Sequence, residues 1–134
     1  MSEPLFAGVD HLAIAAGDPA RLADWYCETL GFRALSDNGK ERPTRLLAGP
    51  GGGMIEMMPD DQMPPPAREL FDRGLSHLAI RVADLDAALV RLRQTGVAVA
   101  EPVPAAGGGR VASFHDPEGN VVQVVERPAG WGTG

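Results

Sequence analysis

The sequence predicts an α+β fold made of two tandem βαβββ modules, and three observations predict it. The stretch GVDHLAIAAGD at residues 8–18 returns as GLSHLAIRVAD at residues 74–84, with His-Leu-Ala-Ile unchanged in the middle. His11 and His77 are 66 residues apart and Glu56 and Gln123 are 67 apart, so the repeat keeps its spacing to one residue across a whole module. In each copy an apolar run leads into one amphipathic helical pattern and then three short strand-like runs. Self-similarity at a fixed spacing is the mark of internal duplication.

The elements follow in order. Residues 9–15 read as an apolar strand, and Asp18-Pro19 then supplies an N-cap and a proline at the first helical position. ARLADWYCETL puts Leu22, Tyr26 and Leu30 on one stripe, and Gly31 ends the helix. Strands are expected at 32–37, 44–48 and 54–58, parted by the turn-rich NGKERP and GPGGG. The second copy gives a strand at 75–82, Asp84 as cap, a helix carrying Leu85, Ala88, Leu89 and Leu92 up to Gly96, and strands at 97–99, 111–114 and 121–125. The modules therefore span about 8–58 and 74–126. The linker at 59–73 contains ARELFDR, which could form one or two helical turns, and the tail at 127–134 is expected to fray.

A chain of 134 residues is long enough to bury a core without disulfides and is read as one domain, 1–134. Twelve Lys and Arg stand against eighteen Asp and Glu, a net charge of −6 with the signs interspersed, which speaks against nucleic acid or an anionic membrane as partner. No apolar run approaches membrane-spanning length and the start has no basic or apolar leader pattern, so a soluble cytoplasmic protein is expected. The single cysteine, Cys27, lies inside the first helical pattern and reads as a small packed side chain. The glycine runs at 49–53 and 105–110 precede no helix, so they read as strand connections and not phosphate cradles, and DPEGN at 116–120 reads as a tight turn that aims Gln123.

Strand parity defines the candidate site. His11 shares a face with Val9, Ala13 and Ala15, while Leu12 and Ile14 point the other way, toward the helix. The same parity puts His77 with Ala79 and Arg81, Glu56 with Met54 and Met58, and Gln123 with Val121 and Val125. A carboxylate on such a face needs compensation, either from a cationic partner, Arg45 or Arg81, or from a metal ion. Two imidazoles, a carboxylate and an amide oxygen suit a divalent ion such as Zn, Ni, Co, Mn or Fe(II). Ala13, Ala15 and Ala79 leave room beside it, Met54 and Met58 give an adaptable lining, and Arg81 could meet a carboxylate, which together describe a small-molecule substrate site.

DHLAIAAGDPARLADWYCETLGF, SHLAIRVADLDAALVRLRQTGV and FHDPEGNVVQVVE make the chain resemble the vicinal oxygen chelate superfamily. That superfamily groups glyoxalase I, fosfomycin and bleomycin resistance proteins, methylmalonyl-CoA epimerase and extradiol dioxygenases. The resemblance runs from about residue 9 to 126. It implies curled mixed sheets forming one shared cup, metal ligands at His11, Glu56, His77 and Gln123, and a homodimer. Glyoxalase I and the epimerase generally carry Glu where this chain has Gln123, and an amide cannot be a general base, so proton abstraction would fall to Glu56. The resemblance thus implies metal-dependent lyase or isomerase chemistry through an enediolate-like intermediate. Glyoxalase I of the small bacterial kind also tends to carry an arginine where Ala15 stands, and here the equivalent arginine, Arg81, follows the second histidine. The alternatives are an extradiol-type Fe(II) dioxygenase, with His115 or Tyr26 as its extra acid-base group, and a bleomycin-resistance-type binding protein without chemistry.

Overall fold

The computed structural model describes residues 5–64 and 69–131. The chain divides after residue 64 into two compact units, each a four-stranded mixed sheet with one helix on one face. This is the tandem βαβββ architecture.

In the first unit β1 (Leu12–Ala16) leads into α1 (Pro19–Leu30), followed by β2 (Arg33–Asp37), β3 (Arg45–Ala48) and β4 (Met54–Pro59). The strand order is β1-β4-β3-β2, with β1 parallel to β4 and the other neighbours antiparallel. Asp18 caps α1 by accepting the Arg21 N–H at 3.1 Å, and Gly31 closes it in a left-handed conformation, its N–H directed to the Tyr26 carbonyl. The stripe Leu22, Ala23 and Tyr26 packs against Ala16, Leu47, Ile55 and Met57, all buried. Tyr26 makes edge-on ring contacts with Trp25 and Phe32 at centroid distances of 5.2 and 5.7 Å.

The second unit repeats the plan with β5 (Leu78–Arg81), α2 (Leu85–Gln94), β6 (Val103–Pro104), β7 (Arg110–His115) and β8 (Val121–Glu126), in the order β5-β8-β7-β6. Two carboxylates meet the N-terminus of α2. Asp84 accepts the Ala87 N–H at 3.1 Å and Glu126 accepts the Leu85 N–H at 2.7 Å, complementing the positive end of the helix dipole. Leu85, Leu89 and Leu92 are buried, as are Ala112, Phe114, Val122 and Val124.

The first strand of each module is shorter than the sequence predicts. Both are edge strands, and β4 and β8 begin at Met54 and Val121, so pairing starts only at Leu12 and Leu78. Val9 and Leu75, expected in those strands, are 93% and 76% exposed. The strand expected at 97–99 is absent. Val97 instead donates its N–H to the Leu92 carbonyl at the end of α2, Ala100 makes a single backbone hydrogen bond to the Ser113 carbonyl of β7, and the paired strand forms only at Val103–Pro104, where a proline allows little more. Of ARELFDR, residues 67 and 68 lie outside the described residues, and the remainder forms a turn with the Asp72 N–H on the Glu69 carbonyl.

The glycine runs behave as strand connections. Residues 49–53 join β3 to β4, and residues 105–109 join β6 to β7. The tail is tied down at least to residue 131. Trp131 donates its indole N–H to the Gly107 carbonyl at 2.7 Å, Arg127 lies 4.2 Å from the centre of the Trp131 ring, and Arg127 also donates to the carbonyls of Ala106 and Gly108. No helix among the described residues is long and apolar enough to cross a membrane.

Candidate functional site

On the first sheet, pairing Ala13 with Glu56 and Leu12 with Ile55 puts His11, Ala13 and Ala15 on one face together with Met54, Glu56 and Met58. The α1-facing side chains Leu12, Ile14, Ile55 and Met57 occupy the other face. The Nε2 of His11 lies 3.8 Å from a carboxylate oxygen of Glu56, and the two side chains are 37% and 32% exposed. Two donors bonded to one ion at about 2.1 Å stand about 3–3.4 Å apart, so a small side-chain rotation brings this pair to a shared cation.

The other ring nitrogen of His11 is engaged. Its Nδ1 lies 2.9 Å from a carboxylate oxygen of Asp10, so the ring carries its proton on Nδ1 when neutral and leaves the Nε2 lone pair facing Glu56. The Asp10 hydrogen bond, the largest cause, raises the His11 pKa above its ordinary 6.5; burial opposes it, and the negative charges of Glu56 and Asp10 add smaller upward contributions.

The second unit repeats this arrangement with a different partner. The Nδ1 of His77 lies 2.9 Å from the hydroxyl oxygen of Ser76, and that hydroxyl donates its own proton to the Leu70 carbonyl at 2.7 Å. The Ser76 oxygen is therefore the acceptor, His77 carries its proton on Nδ1, and Nε2 is again left as a free lone pair. Asp10 and Ser76 are themselves repeat-equivalent, 66 residues apart. Sequence reasoning missed both, although each precedes its histidine in the duplicated stretch.

Gln123 pairs in register with Ala79 on one side and Ser113 on the other. Its amide nitrogen donates to the Ser113 hydroxyl at 3.1 Å, which leaves the amide oxygen available to a cation. The turn that aims it is built by the buried Asp116, whose carboxylate accepts the backbone N–H groups of Glu118 and Asn120 at 2.9 and 3.0 Å and the Asn120 side-chain amide at 2.8 Å.

Several alternatives resolve. Arg45 does not pair with Glu56. It lies on the helix side of the sheet and binds Asp24 and Asp37 at 3.0 and 2.8 Å. Arg81 has no hydrogen-bond or ion-pair partner among the described residues and is exposed beside Gln123 on the face it shares with Ala79. Tyr26, carried by α1, is fully buried between the helix and the sheet face away from His11, so it is no acid-base group for this site. His115 is the last residue of β7, pairs with Val121, and shares the face of Ser113 and Gln123. Among the described residues no three His, Cys, Asp or Glu side chains gather at one point, and the donors occur as His11 with Glu56 in one unit and His77 and Gln123 in the other.

The sequence pattern of the Glyoxalase/Bleomycin resistance protein/Dioxygenase superfamily matches residues 8–124. The chain belongs to this superfamily. Among curated proteins, the uncharacterized protein YaeR of Escherichia coli (strain K12) is 32% identical over 123 residues, covering 89% of this chain and 95% of its own. The structure of TnmS3, an antibiotic binding protein from Streptomyces sp. CB03234, superposes with a TM-score of 0.75 at 28% identity, covering 94% of this chain and all of that one. A glyoxalase family protein from Enterococcus faecalis gives a TM-score of 0.77 at 25% identity over 92% of this chain and all of that one. Superfamily proteins bind small molecules within this architecture, and the chemistry varies among them.

Proposed function

We propose that the protein is a metal-dependent, glyoxalase-like enzyme that binds a small organic substrate through two adjacent oxygens. The observation that carries this reading is the matched treatment of the two histidines. In each module the residue before the histidine engages Nδ1, through Asp10 or Ser76, and leaves Nε2 as the free donor. A histidine kept only for packing has no need of a fixed tautomer, whereas a ligand histidine does.

The donor set fits a divalent ion such as Zn, Ni, Co, Mn or Fe(II). His11, His77 and Glu56 would hold it, with Gln123 as a weak fourth ligand through its amide oxygen. A bound ion would supply Lewis acidity toward the two substrate oxygens, favouring lyase or isomerase chemistry through an enediolate-like intermediate. Glu56 is the proton acceptor, because it is the carboxylate on the histidine-bearing faces and Gln123 cannot take a proton. Met54, Met58, Ala13 and Ala79 line the substrate, and Arg81 contacts it.

Metal content by mass spectrometry, on the purified protein and on His11→Ala/His77→Ala, tests the reading. About one equivalent per chain, lost in the double variant, supports it. No metal in either protein after incubation with a panel of divalent ions overturns it.

The second reading is a binding protein of the same fold without chemistry. The neutral Gln123 in place of a carboxylate and the likeness to TnmS3, an antibiotic binding protein, favour it. Ligand binding undiminished in a protein that takes up no metal would establish it.

A further inference from the structure

The methionines of this chain are not scattered. Apart from Met1 they stand at positions 54, 57, 58 and 63, and the two on the His11-bearing face of the first sheet are Met54 and Met58. Their repeat equivalents, 67 residues on, are Val121 and Val125. Valine thus meets the need for an apolar lining in one copy, whereas the first copy places sulfur at both positions.

Met54 is the nearer of the two to the histidine. The parallel register joins Leu12 to Ile55, so one step back along both strands it sets His11 level with Met54. Neighbouring strands lie about 4.8 Å apart, and these two side chains leave the same face. Met58 is level with Ala15, four residues further along. Met54 is half-buried, and the free ring nitrogen of His11 is Nε2, 3.8 Å from a Glu56 oxygen. The thioether is carried on three rotatable bonds and can follow an ion held by the ring. Within one unit, an imidazole nitrogen, a soft sulfur and a carboxylate share a small area of sheet.

We propose that His11 and Met54 form a monovalent copper site, in which Cu(I) is bound between Nε2 of His11 and the thioether sulfur of Met54, with Glu56 balancing the charge. Thioether sulfur selects soft ions such as Cu(I), whereas harder divalent ions take nitrogen and oxygen donors. The second module has no counterpart, since the same register sets His77 level with Val121. The assignment goes beyond the proposed function and rests on it only for His11 as a ligand; it needs neither His77 nor Gln123.

Titration with Cu(I), kept reduced by ascorbate and competed against bicinchoninate, tests it in a Cys27→Ala background that removes the only thiol. Stoichiometric uptake is expected. A group that merely orients a ligand histidine is worth about 10–100-fold in metal affinity, so Met54→Leu, which removes a ligand atom while keeping the volume, should cost about tenfold or more for Cu(I). It should leave Zn(II) affinity and the melting temperature unchanged. Met63→Leu, which alters an exposed methionine outside the strands, should change the affinity for neither ion. His77→Ala should lower Zn(II) affinity and spare Cu(I). X-ray absorption at the copper edge should show a sulfur neighbour in the parent protein that is missing in Met54→Leu. No Cu(I) uptake, Cu(I) affinity indifferent to Met54→Leu, a Zn(II) loss as large as the Cu(I) loss in that variant, or no sulfur neighbour in the loaded protein would each overturn the proposal. Zn(II) bound through His77 in a protein that takes up no Cu(I) would remove this site alone. Cu(I) held through Met54 in a protein that takes up no divalent ion would remove the earlier reading alone.

Discussion

His11 and Glu56 face each other across the parallel β1–β4 pair, 3.8 Å apart, while Asp10 holds the far side of the imidazole at 2.9 Å. The ring is thus set between two carboxylates, one fixing its tautomer and one facing its free nitrogen. The geometry accounts for a histidine that accepts a proton more readily than an isolated one and that a cation could displace from that proton.

The first expectation concerns this titration. Because the His11 pKa is raised, its protonated form favours the folded state. That contribution is fully present below the unfolded value of about 6.5 and is lost as pH rises through the higher folded value. In an NMR titration of metal-free protein the His11 ring should show a midpoint above that of a free imidazole. Asp10→Asn should lower it, since the Asp10 hydrogen bond is the largest cause. A midpoint unmoved by Asp10→Asn would remove Asp10 from its role.

The duplicated plan was legible because its signals are local. Strand parity, Asp18 and Asp84 as caps, and Gly31 and Gly96 as stops each depend on a few neighbouring residues. Parity also put His11, Glu56, His77 and Gln123 on the correct sheet faces. The roles of Asp10 and Ser76 were not legible, because they depend on which ring nitrogen turns back along the chain, and on Leu70 receiving the serine proton. The position of His115 is not encoded locally, because it depends on β7 running one residue beyond the expected strand at 111–114 to pair with Val121. The shortness of β1 and β5 reflects where β4 and β8 begin, and a single strand's composition does not encode its partner's start.

The second expectation follows from the Nδ1 partners. Replacing a hydrogen-bond partner of a ligand histidine typically costs about 10–100-fold in metal affinity. Asp10→Ala and Ser76→Ala should each fall in that range by competitive metal titration, with unchanged far-UV circular dichroism. Asp10→Ala should have the larger effect, because the carboxylate also raises the basicity of the ring. Unchanged affinity in both variants would show that the histidines are not ligands.

A third concerns the loop joining β6 to β7, the strand that carries Ser113 and His115. Gly109 has φ +88, and a Cβ added there would lie 1.8 Å from the Glu126 carbonyl oxygen. Gly119 has φ +86, but its Cβ would meet open space. Gly119→Ala should cost only the left-handed backbone penalty, about 1–2 kcal/mol. Gly109→Ala forces β8 and its loop apart and should cost clearly more in urea denaturation. Equal costs would mean that the loop yields without disturbing β8.

A fourth concerns the turn that aims Gln123. Asp116 accepts three N–H groups while buried, so Asp116→Ala leaves those donors unsatisfied and should destabilise the protein by about 2 kcal/mol or more. Asp116→Asn keeps one acceptor oxygen and should cost less. Denaturant midpoints at constant m-value would show the order, and equal stability of all three proteins would exclude the turn as a structural determinant.

The last concerns Gln123 itself. Its amide nitrogen is held by Ser113, so the oxygen is the atom left for a cation, and an amide oxygen is a weak, uncharged donor. Gln123→Ala should therefore lower metal affinity only a few-fold, the main ligands being the histidines and Glu56. Gln123→Glu puts a formal negative charge at the same point, with Ser113 able to turn its hydroxyl from accepting to donating. Adding ligand charge tightens cation sites, and about tenfold is expected here in competitive titration. A second carboxylate also supplies a second proton acceptor, so the variant could take protons at positions 56 and 123 where the native chain is expected to use Glu56 alone. If Gln123→Glu leaves metal affinity unchanged while the His11→Ala/His77→Ala variant abolishes it, Gln123 faces substrate and not the ion.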